Sequence, residues 1–173
     1  MIGLLTPITV VLPIDGYHYT KDALSKFPNP AQAFARRGAH WTFDAERFVA
    51  DLISLKKDSS QNFTFPSFDH AVGDPIENDI TVNNNSEIII IEGNYLLLDK
   101  EPWSIIKRHI ADFSIFISAD EDIIRRRVIN RHLKAHPEQT REFATNRFES
   151  NDLLNAREIN ETSVRADLII ESQ

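Results

Sequence analysis

Two acidic residues end apolar runs of this sequence and are candidates for proton transfer or metal binding. Asp15 follows the run ITVVLPI at 8–14, Glu92 follows the run at 88–91, and a glycine comes after each acid. In open parallel sheets, ligands bind at the carboxyl ends of the strands. One carboxylate there can accept the proton of an attacking hydroxyl, while the other holds the water shell of Mg²⁺. Strand-terminal acids also act as caps and turn formers, so the spacing alone leaves both roles open.

Four apolar runs predict the strands that would position these acids, at 8–14, 87–93, 113–118 and 167–172. None of them alternates cleanly between apolar and polar residues. Such continuous β-branched runs are typical of parallel strands that are covered on both faces. Because helical patterns separate the runs, the sequence predicts an α/β fold with a doubly wound, mostly parallel sheet.

The connecting segments predict five helices and one long loop. The helices are expected over 30–38, over 44–56, over 102–110, from 120 onward, and from 138 to 162 with a break near 151. Asn29 is a candidate cap of the first helix, and Asp44 of the second. The polar segment 57–87 contains prolines, a glycine and three consecutive asparagines, and it predicts a long irregular loop outside the core.

The composition fits one globular domain over 1–173, with 42% hydrophobic residues. The absence of cysteine excludes a disulfide framework, a thiolate zinc site and a cysteine nucleophile. A net charge of −7 argues against a broad nucleic-acid surface. The apolar N-terminus lacks a basic flank, so we expect no signal peptide, no membrane contact and a cytoplasmic location.

Positive charge is concentrated in RRRVINRH at 125–132. This run is either a solvated helix face or a local site for a polyanionic small molecule. Arg127 and Arg131 lie one helical turn apart and share a face. His132 and His136 have the same spacing, but without an HExxH pattern or a third ligand nearby they do not predict a zinc site.

No phosphate-binding loop of the Walker A type occurs in the sequence. That loop has two glycines five positions apart, followed by lysine and then serine or threonine. The five glycines stand at 3, 16, 38, 73 and 93, so no pair has this spacing and none precedes a lysine. The GxGxxG pattern is absent by the same count.

Six blocks of sequence nevertheless resemble the uridine kinase, phosphoribulokinase and pantothenate kinase branch of the P-loop kinases, and its uridine-kinase-like members in particular. In order, they are PIDGYHY (13–19), RRGAHWTFD (36–44), FPSFDHAVGDP (65–75), IIIIEGNYLLLD (88–99), RRRVINRH (125–132) and ESNDLLNAREI (149–159). Each block alone is weak, whereas six in the right order span nearly the whole chain. The resemblance implies a P-loop NTPase-like three-layer sandwich that uses ATP and Mg²⁺.

The resemblance also implies roles for individual residues. Asp15 and Glu92 match the two acids that contact the acceptor hydroxyl and bind the metal, with water between the acids and the metal. Substrate contacts are implied for Tyr17, His18, Arg37, Asp44 and Asp69. Nucleotide or lid contacts are implied for Arg127, Arg131, Asn151 and Asp152, with the lid over about 120–150. Asp44 is equally well explained as a helix cap and Asp69 as a turn former, while Tyr95 and Trp103 are expected in the core.

Family members begin with a strand, the glycine-rich loop and a helix ahead of the DGY block, and the resemblance therefore describes an N-terminally truncated form. The expected function is ATP-dependent phosphorylation of a hydroxyl on a small metabolite. Three classes of acceptor stay open: a uridine- or nucleoside-like compound, a sugar, and a pantothenate-like compound. Weak or absent ATP binding and impaired activity are expected without the loop. The alternative is an inactive relative that acts as a binding or regulatory module. A homo-oligomer is a further possibility, because removing a central strand exposes unpaired sheet edges.

Overall fold

The structure, a computed structural model, describes residues 8–58 and 60–173. The stretch 1–7, for which the sequence predicts no signal peptide, lies outside the described residues. The strands are β1 (Thr9–Pro13), β2 (Phe63–Asp69), β3 (Asp74–Val82), β4 (Ile88–Glu92), β5 (Ile115–Ser118) and β6 (Leu168–Glu171). The four strands predicted from apolar runs are therefore confirmed as β1, β4, β5 and β6.

The strands form two parallel pairs and one antiparallel hairpin. β1 pairs with β4 in a register that sets Thr9 opposite Ile88 and Pro13 opposite Glu92. β5 pairs with β6 in the same parallel sense. Among the described residues β4 and β5 are not hydrogen-bonded to each other, so the predicted sheet is divided at this point.

The prediction of an irregular loop over 57–87 is wrong, because β2 and β3 form an antiparallel hairpin there. Phe65 is only 2% exposed and joins the main core together with Val82. A break in register follows Phe65, where Pro66 has no N–H to donate to the ladder. The proline and the polar residues on the outer face conceal the strand pattern in the sequence.

The helices are α1 (Lys21–Ser25), α2 (Pro30–Ala35), α3 (Ala45–Lys57), α4 (Glu121–Ala135), α5 (Arg141–Arg147) and α6 (Leu153–Thr162). The side chain of Asn29 caps α2 by accepting a hydrogen bond from the backbone N–H of Gln32, as predicted. The expected break near residue 151 is a π-helical turn at Phe148–Asp152, between α5 and α6. The predicted helix over 102–110 is reduced to a short helical segment that ends in a π-helical turn at Ile106–Ile110.

The main core lies between the β1–β4 pair and α3. Trp103 packs against Tyr95, Phe43 and Phe48, with ring centroids 5.7, 6.0 and 6.2 Å away. Tyr95 and Trp103 are both buried, which confirms the prediction that they are core residues. In the part of the chain that the structure describes, no helix combines the length and the apolar character needed to cross a bilayer.

Candidate active site

Asp15 and Glu92 lie at the same edge of the β1–β4 pair. Pro13 and Glu92 are opposite each other in the register, and Asp15 follows two residues later in the 3-10 turn Ile14–Tyr17. Partial burial, and then the neighbouring charge of Asp15, raise the pKa of Glu92 above its ordinary value. The negative charges of the two carboxylates therefore repel each other at the carboxyl end of the strands.

The glycine after each acid is required by close packing. A Cβ atom on Gly16 would collide with the backbone carbonyl of Pro66 in β2, which cannot rotate away. A Cβ atom on Gly93 would collide with the side chain of Ile14. Gly16 therefore lets the turn that carries Asp15 lie directly against the hairpin.

His18 is fixed beside Asp15. Its Nδ1 donates a hydrogen bond of 2.9 Å to the backbone carbonyl of Asp15. The ring lies 4.0 Å from that of Phe43 and 5.0 Å from that of Phe68, measured between centroids, and its side chain is 13% exposed. Burial lowers the pKa of His18, although the backbone and side chain of Asp15 oppose the shift. A neutral imidazole is therefore favoured next to the acid.

Tyr17 belongs to a polar network that the sequence did not reveal. Its hydroxyl donates to Asp51 at 2.7 Å, and burial, followed by this hydrogen bond, raises the pKa of Tyr17. Arg47 stacks over the ring at 5.5 Å and forms a bidentate pair with Glu77 of β3 at 2.8 and 2.6 Å. Arg47 and Glu77 line a small surface cleft next to His18. The i, i+4 spacing of Arg47 and Asp51 was the only sequence signal for this network.

Arg37 links its own segment to two other parts of the chain. Its guanidinium donates to the backbone carbonyls of Gly73 (2.5 Å) and Tyr19 (2.8 Å) and to the carboxylate of Asp74 (3.0 Å). It also stacks over Phe68 at 5.5 Å. The predicted substrate residue Arg37 is thus engaged in holding the β2–β3 turn against the segment that follows β1.

The two predicted acceptor-side acids make local hydrogen bonds to the backbone. Asp44 accepts from the N–H of Arg47 at 3.2 Å and caps α3. Asp69 accepts from the N–H groups of Ala71 (2.7 Å) and Val72 (3.2 Å) and shapes the β2–β3 turn. The geometry therefore matches the alternative interpretation of each residue, as a helix cap and as a turn former.

A cavity of about 720 Å³ opens between β4 and β5 and brings predicted nucleotide residues close to Glu92. Its walls are largely apolar and include seven isoleucines, and Glu92, Arg131 and Asp152 provide charged groups. Burial raises the pKa of Asp152, while the charges of Arg147 and Arg131 oppose that shift. Glu92 lies at the open rim of the cavity, where solvent and ligands can reach it.

The other two predicted nucleotide residues, Arg127 and Asn151, do not line this cavity. Arg127 donates to the hydroxyl of Ser172 at 2.8 Å and to the backbone carbonyl of Gln173, beyond the end of β6. Asn151 is buried and donates to the backbone carbonyl of Arg37 at 3.0 Å. The structure therefore assembles Arg131 and Asp152 at the cavity but not Arg127 or Asn151.

The donor set at the acids suits Mg²⁺ rather than a metal held wholly by protein. Over 8–58 and 60–173, no three His, Asp or Glu side chains converge on one point. Mg²⁺ commonly keeps several waters and is bound by one or two carboxylates together with substrate phosphates. A cation near Asp15 and Glu92 would also offset the charge of Asp15, which adds to burial in raising the pKa of Glu92.

Comparison with known proteins assigns this architecture to a family. No protein-family model matches the chain. A candidate uridine kinase of Schizosaccharomyces pombe is 39% identical over 164 residues, which are 95% of this chain and 69% of that protein. An ATP-dependent kinase-like protein of Aspergillus versicolor, notR', is also 39% identical, over 84% of this chain and 86% of its own length.

A solved structure supports the same assignment. The Saccharomyces cerevisiae protein YFH7, described as a candidate P-loop-containing kinase with a circular permutation, superposes with a TM-score of 0.84 at 30% identity. The match covers 95% of this chain and 58% of that one. These similarities show that the chain belongs to the uridine-kinase-like P-loop kinases.

Proposed function

We propose that this protein transfers the γ-phosphoryl group of ATP to a hydroxyl of a small metabolite, and that the acceptor is nucleoside-like. The observation that carries the proposal is the pair of carboxylates, Asp15 and Glu92, at the carboxyl ends of two adjacent parallel strands. The description of the fission yeast relative as a candidate uridine kinase favours a nucleoside over a sugar or a pantothenate-like acceptor. We also propose a cytoplasmic location, since the cysteine-free sequence needs no oxidising compartment for disulfide formation.

Asp15 acts on the acceptor hydroxyl in this proposal. The hydroxyl oxygen forms a bond to the γ-phosphorus while the bond from that phosphorus to the β,γ-bridging oxygen breaks, which releases ADP. The hydroxyl proton passes to the Asp15 carboxylate. General base catalysis of this kind contributes roughly 10²–10⁴-fold to the rate. His18 orients the turn through its bond to the Asp15 carbonyl.

Glu92, with Asp15, would hold Mg²⁺ through water. Mg²⁺ held by these two acids would neutralise the negative charge that develops on the phosphates during transfer. Because Glu92 must be ionised for this role, its raised pKa predicts that activity falls as the pH drops. Arg131, at the other wall of the cavity, supplies positive charge for the phosphates.

The β2–β3 hairpin forms the acceptor side. Tyr17, His18 and Asp44 line the small cleft next to Arg47 and Glu77. Arg37 and Asp69 shape the turn above this cleft by the hydrogen bonds described above. We propose that these residues select the acceptor by fixing the hairpin.

An acceptor screen with radiolabelled ATP tests the function. The protein, extended at its N-terminus by a Walker A segment, is incubated with Mg²⁺ and nucleosides, sugars or pantothenate. We expect transfer to a nucleoside, and loss of that transfer in an Asp15→Asn control. Transfer to a sugar or pantothenate alone would overturn the nucleoside assignment. No transfer to any acceptor, with ATP bound, would favour a binding or regulatory module instead.

A further inference from the structure

The helices that follow β5 pack around a hydrophobic cluster of their own. We call the stretch 121–152 the lid unit, which comprises α4, α5 and the π-helical turn after α5. Its cluster is distinct from the main core and contains Ile129, Ala144, Phe148 and, from the start of α6, Leu153. The position of the lid unit therefore depends on the contacts that join it to the rest of the protein.

Two buried asparagines join the lid unit to the segment 36–40, which we call the acceptor segment because its Arg37 holds the β2–β3 turn. Asn151, in the π-helical turn, donates from Nδ2 to the backbone carbonyl of Arg37 at 3.0 Å. Asn155, at the start of α6, accepts at Oδ1 from the guanidinium of Arg36 at 2.7 Å. The Nδ2 of Asn155 also donates to Oδ1 of Asn151 at 3.4 Å. The two amides therefore form one continuous polar link.

Burial makes this link costly to break. Asn151 and Asn155 are only 4% and 7% exposed, and a buried amide that loses its partner is unfavourable. The residue after Asn151 is Asp152, which lines the cavity together with Arg131 of α4. A movement of the acceptor segment therefore moves the π-helical turn, and this turn carries a charged group of the cavity. Turns of this kind occur frequently at functional sites.

A second polar contact joins the acceptor segment to α6. The Nδ1 of His40 donates to Oε2 of Glu158 at 3.0 Å, and Lys100 donates to Oε1 of the same carboxylate at 2.5 Å. Gly38, in the middle of the acceptor segment, lines the cavity itself. The acceptor segment and the lid unit therefore form adjoining walls of one cavity.

We propose that Asn151 and Asn155 are positioning residues that couple the acceptor segment to the charged wall of the cavity. An acceptor that fixes this segment also fixes the turn that carries Asp152, so less ordering is left for the nucleotide and its affinity rises. The coupling acts in both directions, because two linked sites change each other's affinity by the same factor. For this effect on substrate binding, the inference rests on the proposed kinase function.

The titration of Asp152 reports on the link without any substrate. Burial raises the pKa of Asp152, and the opposing charges are those of Arg147, Arg131 and His132. Arg36→Met removes the hydrogen bond to Asn155 and should loosen the turn, so that water reaches Asp152 and its pKa falls toward the ordinary value. The loss of a nearby cation alone would raise the pKa of an acid, so the direction of the change separates the two effects.

Nuclear magnetic resonance of the side-chain carboxyl carbons measures the pKa of Asp152 in the 173-residue protein. Arg165→Met is the matched control, because Arg165 is exposed and its loss should leave the pKa of Asp152 unchanged. If Arg36→Met does not fold, Arg36→Lys serves instead, since lysine keeps the charge but cannot reproduce the planar guanidinium fork. An unchanged or raised pKa of Asp152 in the folded variant of Arg36 would overturn the proposal.

Calorimetry in the form used for the acceptor screen measures the coupling itself. The ligand is β,γ-methylene-ATP, which cannot transfer its phosphoryl group, and the partner is the acceptor phosphorylated in the screen. The acceptor should lower the Kd of this analogue at least about fivefold, and Arg36→Met should abolish the difference. Equal Kd values with and without the acceptor would overturn the coupling.

The outcomes also separate this inference from the proposed function. A lowered pKa of Asp152 in Arg36→Met, without phosphoryl transfer to any acceptor, would refute the kinase activity only. Phosphoryl transfer by a protein in which Arg36→Met leaves the pKa of Asp152 unchanged would refute the link only.

Discussion

Removing the side chain of Phe65 tests whether the β2–β3 hairpin belongs to the core. Phe65 is 2% exposed and packs in the same cluster as Ile14, Tyr17 and Leu52. Truncation of a buried phenylalanine to alanine costs about 3–5 kcal/mol in the free energy of unfolding. For a domain of this size, each kcal/mol shifts Tm by about 2–4 °C, so Phe65→Ala should lower Tm by roughly 6–20 °C.

Phe34→Ala is the matched control, because Phe34 lies on α2 and is 45% exposed. Surface substitutions of this kind usually change stability by about 0.5 kcal/mol or less. Urea unfolding followed by circular dichroism gives the free energy of unfolding of both variants. An unchanged slope of that free energy against urea concentration would show that the two variants unfold from comparable native states. If Phe65→Ala cost no more than Phe34→Ala, the hairpin would not be part of the core and our assignment of β2 would be refuted.

Three further substitutions probe the acceptor side. Gly16→Ala should destabilise the fold by about 1–3 kcal/mol through collision with the Pro66 carbonyl, and an unchanged Tm would contradict the packing. Because burial lowers the pKa of His18, stability should fall as the pH drops below 6.5, and His18→Gln should flatten that dependence in pH-resolved melts. Asp44→Ala should cost about 1 kcal/mol while Asp44→Asn keeps the cap, so equal losses in thermal melts would argue against capping.

The strands of the parallel pairs could be predicted because burial on both faces leaves a strong local signature. The runs that became β1 and β4 are continuously apolar, and their ends fell within two residues of the predicted ones. The hairpin has no such signature. Asn78 has a positive φ of 57°, Pro66 interrupts the ladder, and the outer face is polar, so the segment resembles a loop until its partner strand is known.

The placement of the two acids at one edge could be predicted, whereas the contacts around them could not. Asp15 and Glu92 converge because parallel strands end at one edge, a rule that needs only the strand assignment. The contacts of Tyr17 and Arg37 depend on partners 34 and 37 positions away, Asp51 and Asp74, which no local pattern reveals. For this reason, residue types alone could not separate ligand contacts from structural hydrogen bonds.

The role of Asp15 is tested most directly by comparing turnover and ATP affinity in one pair of proteins. The form extended by a Walker A segment is assayed with Mg-ATP and its nucleoside acceptor, with and without Asp15→Asn. We predict that turnover falls by roughly 10²–10⁴-fold, while the Kd for ATP measured by calorimetry stays within about twofold. Unchanged turnover in the Asp15→Asn protein would contradict the assignment of Asp15 as the base at the carboxyl end of β1.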